Sequence, residues 1–481
     1  MSLQLKHPIG TAIRVLLWLA FLLYVGRFVL DRFVDIFQIN WATTGWGDCR
    51  VDWAAARLFL EHKSPYTEES LATMGLQNYG FGHPPTTSFW FIPFAKFNYP
   101  LMAEVVAVLT MLALLFHIII CAQELQLPAK TGFVLLAFGL TLRTTWMGEH
   151  LILVQVSEII AFLFVLSWYL LRRRREIEAG ITLGIACSFK LFPGVLVLFL
   201  LLTRRFRGVA AACLTYGAIA AYMTTGYGWQ AWKDFFRQQG PIASYWMGHI
   251  RNASLHGIIV RLFRPLCERP ADDAQALTII GELRKLPSVP PIPGARWATV
   301  ASLVLLAFCW WISRRDASRT ATLDVPYALF GTMAVFVNPW IWEHYAALLI
   351  MPLFVLIAGA LQRCKEVVRI VADRGGPRRS LTSILVELFV LSAAVVALFS
   401  LLSMNGHTKS VVYDQYWALR KADEAIPAGL HARLHYYEVL NWLPWVVAVA
   451  GLSSLTVFDR KRYSLQTAAG LSVVRRQNLG T

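Results

Sequence analysis

The sequence predicts an all-α polytopic membrane protein, and three observations predict it. The 481-residue chain is 57% hydrophobic and only 15% charged, with a mean hydropathy of +0.51. Its apolar residues fall in continuous runs of about 20, enough for a helix to cross a hydrocarbon core of about 30 Å. Its basic residues fall in short clusters between those runs, where they set orientation and meet anionic lipid. A transmembrane barrel is excluded, because its strands alternate apolar and polar residues. The net charge of +16 is therefore a topology signal and gives no reason to expect nucleic acid as a partner.

Charge clusters orient the runs in order. The first crossing covers 12–36. Lys6 and Arg14 hold its start in the cytoplasm, and it reads as a retained anchor, since no cleavage pattern follows. Residues 37–98 lie outside and contain a short interfacial helix within Gly47–Tyr66. They also carry Gly82-His83-Pro84-Pro85 ahead of the aromatic run Phe89-Trp90-Phe91. Crossings at 99–123 and 129–143 lead in and out again. An outer turn, Arg143 to His150, precedes a fourth crossing at 151–171, which ends at Arg172-Arg173-Arg174-Arg175, the strongest inside signal.

Residues 179–203 are apolar with basic clusters at both ends, Arg172–Arg175 and Arg204-Arg205-Phe206-Arg207. A single crossing would place one cluster outside, against the rule. A re-entrant hairpin of two half-helices, broken at Ser188–Pro193, keeps both inside and puts Lys190 at its tip. One kinked helix with a snorkelling lysine is the alternative. Beyond it come a crossing at 208–226 and an outer loop, 227–295. That loop opens with an amphipathic aromatic stretch (229–236) and carries Asn252-Ala253-Ser254. Crossings at 296–313, 323–338, 345–361, 381–403 and 441–458 follow, with an outer turn Asn338–His344 and an outer loop 404–440. The total is about ten full crossings plus the hairpin. Two regions result: a catalytic transmembrane module, 1–360, and C-terminal helices, 361–481.

The unusual polar residues gather on one side. Asp48, Asp52, Glu149, His150, Lys190, Asn252, Ser254, Glu343 and His344 all fall at the outer face. Ionisable groups near membrane depth are expensive and point to function. Each has a plainer alternative. Asp48, Glu149-His150 and Glu343-His344 can cap the helices that follow them, and Gln155 can bond a neighbouring helix. Cys121, Cys187, Cys213 and Cys309 read as small packing residues. Cys49 and Cys267 both face outward and are a possible pair. No metal site is expected from these spacings, and there is no nucleotide-binding motif.

Five segments then occur in a set order: GDCRVDWAAARLFLEHKSPY (47–66), HPPTTSFWFIPFA (83–95), FKLFPG (189–194), RNASLHGIIVRLF (251–263) and NPWIWEHYAALL (338–349). In this order they resemble glycosyltransferase family 87, membrane enzymes of the GT-C fold that use polyprenyl-phosphate mannose and related donors. The resemblance implies a GT-C-like bundle in which Asp48 is the general base on the acceptor hydroxyl. It implies that Lys190, His344, Glu343, Asn252 and Gln155 serve the donor; Asp52, Arg50, Glu149 and His150 are secondary candidates from their place at the outer face. Asp52 stands where the family often has an aromatic residue. Val154-Gln155-Val156-Ser157 departs from the family's Gly-Gln-Val-Asn.

The expected function is inverting transfer of a sugar, mannose first among the choices, from a lipid-linked donor to a hydroxyl of a glycan, glycolipid or other acceptor. The expected place is the outer face of a bacterial plasma (inner) membrane. The donor arrives activated, so no cofactor is needed. A transporter or flippase of lipid-linked sugars is the competing class. Its internal repeat is not found in the sequence.

Overall fold

A computed structural model describes residues 48–76, 82–127, 130–249, 252–263, 292–317, 322–372, 381–403 and 442–458, with scattered positions between 16 and 34 and residue 439. The described residues are helical, with no strand among them. Residues 264–291 and, apart from 439, the expected outer loop 404–440 lie outside them.

After the N-terminal helical positions come α1 (Asp48–Leu60), α2 (Glu68–Ala72) and a 3₁₀ helix, Pro85–Phe94. Asn98 caps α3 (Tyr99–Glu124) by accepting from Leu101 N at 3.0 Å. Then follow α4 (Lys130–Arg143), α5 (Thr145–Ile152), α6 (Ser157–Arg172), α7 (Glu176–Phe189), α8 (Gly194–Leu202) and α9 (Phe206–Trp246). The remainder is α10 (Leu255–Phe263), α11 (Ala295–Ala317), α12 (Asp324–Phe336), a 3₁₀ turn Glu343–Leu349, α13 (Ile350–Ala372), α14 (Leu381–Ser403) and α15 (Trp442–Phe458).

Among the described residues four helices are long and apolar enough to cross a bilayer: Tyr99–Glu124, Phe206–Gly240, Ala295–Asp316 and His344–Val368. A fifth span arises if α5 and α6 are one. The rest of the crossings read from charge fall on shorter apolar helices, such as Thr131–Arg143 and Asp324–Phe336, or outside the described residues.

The fourth crossing needs correction. The expected outer turn 143–150 is itself helical, and the helix does not run on from 151. The chain breaks over 153–156 and bends by 112° into α6. At the break Val154 takes φ 51°, a left-handed conformation costly for a β-branched residue, so packing there overrides local preference. In α9, by contrast, the break at Gly228 (φ 74°) falls on the residue that tolerates it. The aromatic stretch after it continues as helix.

Charged groups tie one end of the bundle. Arg172 meets Asp324 at 2.6 Å and Glu124 at 3.1 Å, Arg173 meets Glu124 at 2.8 Å, and Trp168 Nε1 donates to Asp324 at 3.0 Å. The end of α3, the end of α6 and the start of α12 therefore coincide. Glu176, at the start of α7, meets Arg205, just past α8, at 3.2 Å. A straight run of that length would carry the chain about 40 Å away, so the chain turns back at 190–193. This return lets α7 lie against α9 with almost no gap. A Cβ on Gly180 would strike the Gly208 carbonyl, and one on Gly184 would come within 2.6 Å of the Ala212 carbonyl. The main core sits between α3, α6, α8, α12 and α13, around buried Trp168, Phe199, Tyr327 and Phe330. α13 runs through position 360 and holds α14 by the fully buried pair Arg363–Glu387 at 2.9 Å.

Candidate active site

The opposite end of α7 carries the site. α7 stops at Phe189 and Lys190 is extended (φ −151°, ψ 149°). With Pro193 two residues past Leu191, the helix cannot resume until Gly194. The break aims Lys190, 9% exposed, at the Glu343–Leu349 turn. Its Nζ donates to Tyr345 Oη at 2.8 Å and lies 4.7 Å from that ring's centroid. Tyr345 stacks on His344 at 4.8 Å and meets Phe192 edge-on at 5.5 Å. His344 faces His150, ring centroids 6.3 Å apart. His150 is fully buried, and its carbonyl accepts from Gln155 N at 2.9 Å across the α5–α6 break. The 112° bend thus brings His150 and Gln155 into the cluster of Lys190, His344 and Tyr345.

Asn252 is the clamp of this cluster. Its side chain is fully buried. Nδ2 donates toward the carbonyls of Pro339 (2.9 Å), Met247 (3.1 Å) and Trp246 (3.2 Å), while Oδ1 accepts from Ser254 N and Ile341 N, both at 3.0 Å. Its polar atoms go to backbone, so it fixes the 338–342 turn on which His344 and Tyr345 stand. Trp342, packed edge-on to Trp246 and His249 at 5.0 and 5.1 Å, reinforces that join.

A second wall comes from α1. Asp48 opens α1; its side chain lies outside the described residues, as does that of Glu343. Asp52, one turn on and buried, meets His83 Nδ1 at 2.8 Å through Oδ1. His83's carbonyl accepts from Tyr66 Oη at 2.7 Å. Burial pushes the Tyr66 hydroxyl well above its ordinary pKa, chiefly by desolvation, so it stays a donor. Arg50 lies 6.0 Å from the Tyr99 ring, and Glu149 is half-buried on α5. The two walls join at the α7 tip: Thr87 Oγ1 donates to Phe189 O at 2.7 Å, Trp90 Nε1 donates to Ser188 Oγ at 2.8 Å, and Trp90 stacks on Phe189 at 4.9 Å.

Residues 81–339 match glycosyltransferase family 87. The chain belongs to that family. The matched interval holds Gln155, Lys190, Asn252 and His83, and it leaves Asp48, Asp52, Glu343 and His344 on its flanks. This family 87 chain is 25% identical over 336 residues to a polyprenol-phosphate-mannose-dependent alpha-(1-2)-phosphatidylinositol mannoside mannosyltransferase of Mycobacterium tuberculosis (strain ATCC 25618 / H37Rv). The alignment covers 65% of this chain and 71% of that one. No solved structure matches. The chain is thus a glycosyltransferase built of apolar helices, in which Lys190, His344, His150 and Gln155 meet at one end of the bundle. Tyr345, beside Lys190 and His344, and His83, beside Asp52, are residues of this arrangement that sequence reasoning missed. Their only signals were adjacency to His344 and a place before two prolines.

Proposed function

We propose that this protein transfers mannose from a polyprenyl-phosphate donor to an acceptor hydroxyl at the outer face of the bacterial plasma membrane, with inversion at the anomeric carbon. The observation that carries the reading is the buried Lys190 amine at the chain reversal, 2.8 Å from Tyr345 and beside His344, in a chain of family 87. The printed name of the Mycobacterium tuberculosis relative supports the donor and points to a glycolipid as the acceptor kind.

In this reading the acceptor oxygen attacks the anomeric carbon and the bond to the donor's phosphate oxygen breaks. Asp48 takes the hydroxyl proton. The phosphodiester becomes a phosphate monoester and gains negative charge, which Lys190, assisted by His344 and Glu343, is there to stabilise. Gln155 and His150 line the donor side, and Asn252 holds the 338–344 turn in place. The 176–205 segment is a re-entrant hairpin, supported by the Glu176–Arg205 pair. That pair and the Arg172–Arg173 cluster stand at the basic end of the bundle, cytoplasmic by the positive-inside rule. The site at the other end of α7 then faces outward.

The test incubates purified protein with labelled polyprenyl-phosphate mannose and a mannoside acceptor. Transfer is expected in the wild type and abolished in Asp48→Asn, with donor binding retained. Near-normal turnover of that variant refutes the base assignment. Donor crossing liposomes without any transfer refutes the enzyme reading in favour of a flippase.

A further inference from the structure

Two helix ends in the basic corner of the bundle are built alike. After α6, Arg175 N donates to Leu170 O at 2.9 Å and Arg174 N to Leu171 O at 3.0 Å, with Arg174 at φ 60°. After α8, Arg205 N donates to Leu200 O at 2.9 Å and Arg204 N to Leu201 O at 3.0 Å, with Arg204 also at φ 60°. Both are Schellman turns, which end a helix on a left-handed residue and satisfy its last carbonyls. Gln126 ends α3 in the same conformation, so the turn by itself signals no ligand. It does give each arginine a rigid base. The two turns are also held side by side. Glu176 meets Arg205 at 3.2 Å, and a Cβ on Gly208 would come within 2.9 Å of the Glu176 carbonyl.

The charges of this corner do not balance. Glu124 is engaged with Arg172 and Arg173, Asp324 with Arg172, Glu176 with Arg205 and Glu178 with Arg175. Those four acids account for four of the seven arginines in 172–175 and 204–207. Arg174, Arg204 and Arg207 remain, exposed, with no side-chain partner among the described residues. Arg205 is buried, and its Nε also lacks an acceptor among the described residues. The corner therefore offers more donors than the chain around it uses.

Beside these arginines the surface is apolar. Ile177 is 50% and Phe206 60% exposed, and Leu201 and Leu214 are exposed further along α8 and α9. α9 is one of the helices able to cross a bilayer. Free guanidinium groups at the junction of charged and apolar surface fit a phospholipid. Its phosphodiester supplies the acceptors, and its chains cover the apolar side. A soluble anion would leave Ile177 and Phe206 uncovered.

We propose that this corner is a binding site for an anionic phospholipid of the adjoining leaflet, with Arg174, Arg204 and Arg207 on the phosphate and Ile177 and Phe206 against the chains. The proposal goes beyond the transfer reading and does not depend on it.

Native mass spectrometry counts the lipids that the full-length protein carries out of micelles holding equal amounts of phosphatidylglycerol and phosphatidylcholine. The wild type is expected to retain phosphatidylglycerol in clear excess. A basic residue at an anionic surface is worth about fivefold in affinity, so Arg174→Gln or Arg204→Gln should each weaken phosphatidylglycerol binding about fivefold, and both together with Arg207→Gln on the order of a hundredfold. Lys233→Gln with Arg237→Gln, a pair exposed on α9 beyond Gly228, should leave binding unchanged. If the triple variant does not fold, the two single variants carry the test. A wild type that retains both lipids equally overturns the proposal, and so does a loss in the Lys233 and Arg237 variant as large as in the arginine variants. Inorganic phosphate that raises the melting temperature of the wild type as much as phosphatidylglycerol does overturns the lipid in favour of a soluble anion.

Discussion

Asn252→Ala is the perturbation whose size the structure sets most directly. The side chain is fully buried and faces three carbonyls and two amides from three stretches of chain: 246–247, 254 and 339–341. An amide has two N–H donors, so at most two of the three carbonyls are served at once, and Oδ1 serves both amides. Four simultaneous bonds at about 1 kcal/mol each give about 4 kcal/mol, and the orphaned Ile341 and Ser254 amides hold the loss near that value. Thermal unfolding of the purified protein in micelles should fall by on the order of 5 °C. Transfer should fall more steeply than the folded fraction, because the 338–342 turn positions His344 and Tyr345. Asn252→Asp is the sharper variant. It keeps the acceptor but turns a second oxygen toward the carbonyl cluster, so it should be at least as unstable as alanine. An alanine variant that unfolds within about 1 °C of wild type refutes the clamp, and an aspartate variant more stable than alanine refutes the donor geometry.

Tyr345→Phe removes the hydroxyl that meets Lys190 at 2.8 Å and keeps the ring stack on His344. Transfer is expected to drop about tenfold with thermal stability little changed, while Lys190→Met should cost about 10²–10³-fold in rate, read in the same assay. His117 and Glu158 form a buried pair at 2.9 Å between α3 and α6. His117→Ala leaves the buried Glu158 carboxyl without its hydrogen-bond partner and should destabilise by about 1–3 kcal/mol in denaturant or thermal unfolding, whereas Glu158→Gln, which keeps an acceptor for the ring, should cost less. Burial lowers the pKa of His256 on α10 from 6.5 to about 4. The folded protein therefore holds this ring neutral where the unfolded chain binds a proton. Stability should decline as pH falls from about 6.5 and level off near pH 4, and His256→Asn should flatten that slope in pH-resolved melts.

What the residues disclosed in advance follows from how local each signal is. Arg172-Arg173 and Arg205 mark chain ends by charge alone, and their pairs with Glu124, Asp324 and Glu176 gather the helix ends that charge alternation assigns to one side. Pro193 announces the break over 190–193 because a missing N–H is a property of one residue. The break at 153–156 has no such herald. Val154 adopts φ 51° against its own preference, so only tertiary packing specifies it, and Gln155, which the apolar run places one turn inside a helix, precedes the helix start at Ser157. Asn252 was legible as an unusual polar residue, but its clamp is spread over 89 residues of sequence. The Asp52–His83 contact spans 31 residues and left no trace in spacing or periodicity.

The two walls differ in the charge they can tolerate, and that difference orders the chemistry. Around Lys190 the neighbours are aromatic or imidazole: Tyr345, Phe192, His344 and His150. They are polarisable and buried, and in the proposed transfer a negative charge formed there would be stabilised more than in water. On α1 the buried Asp52 holds a histidine in reach of solvent, and Arg50 stands half a turn before it. A continuous helix through 176–202 would separate these walls, because Lys190 would sit in mid-bilayer far from Thr87 and Tyr345. Breaking it at Pro193 puts Phe189 under Thr87 and Lys190 under Tyr345 in successive residues. The tip of α7 is thus the hinge on which the acidic and cationic halves register, and a shift there would disturb both at once.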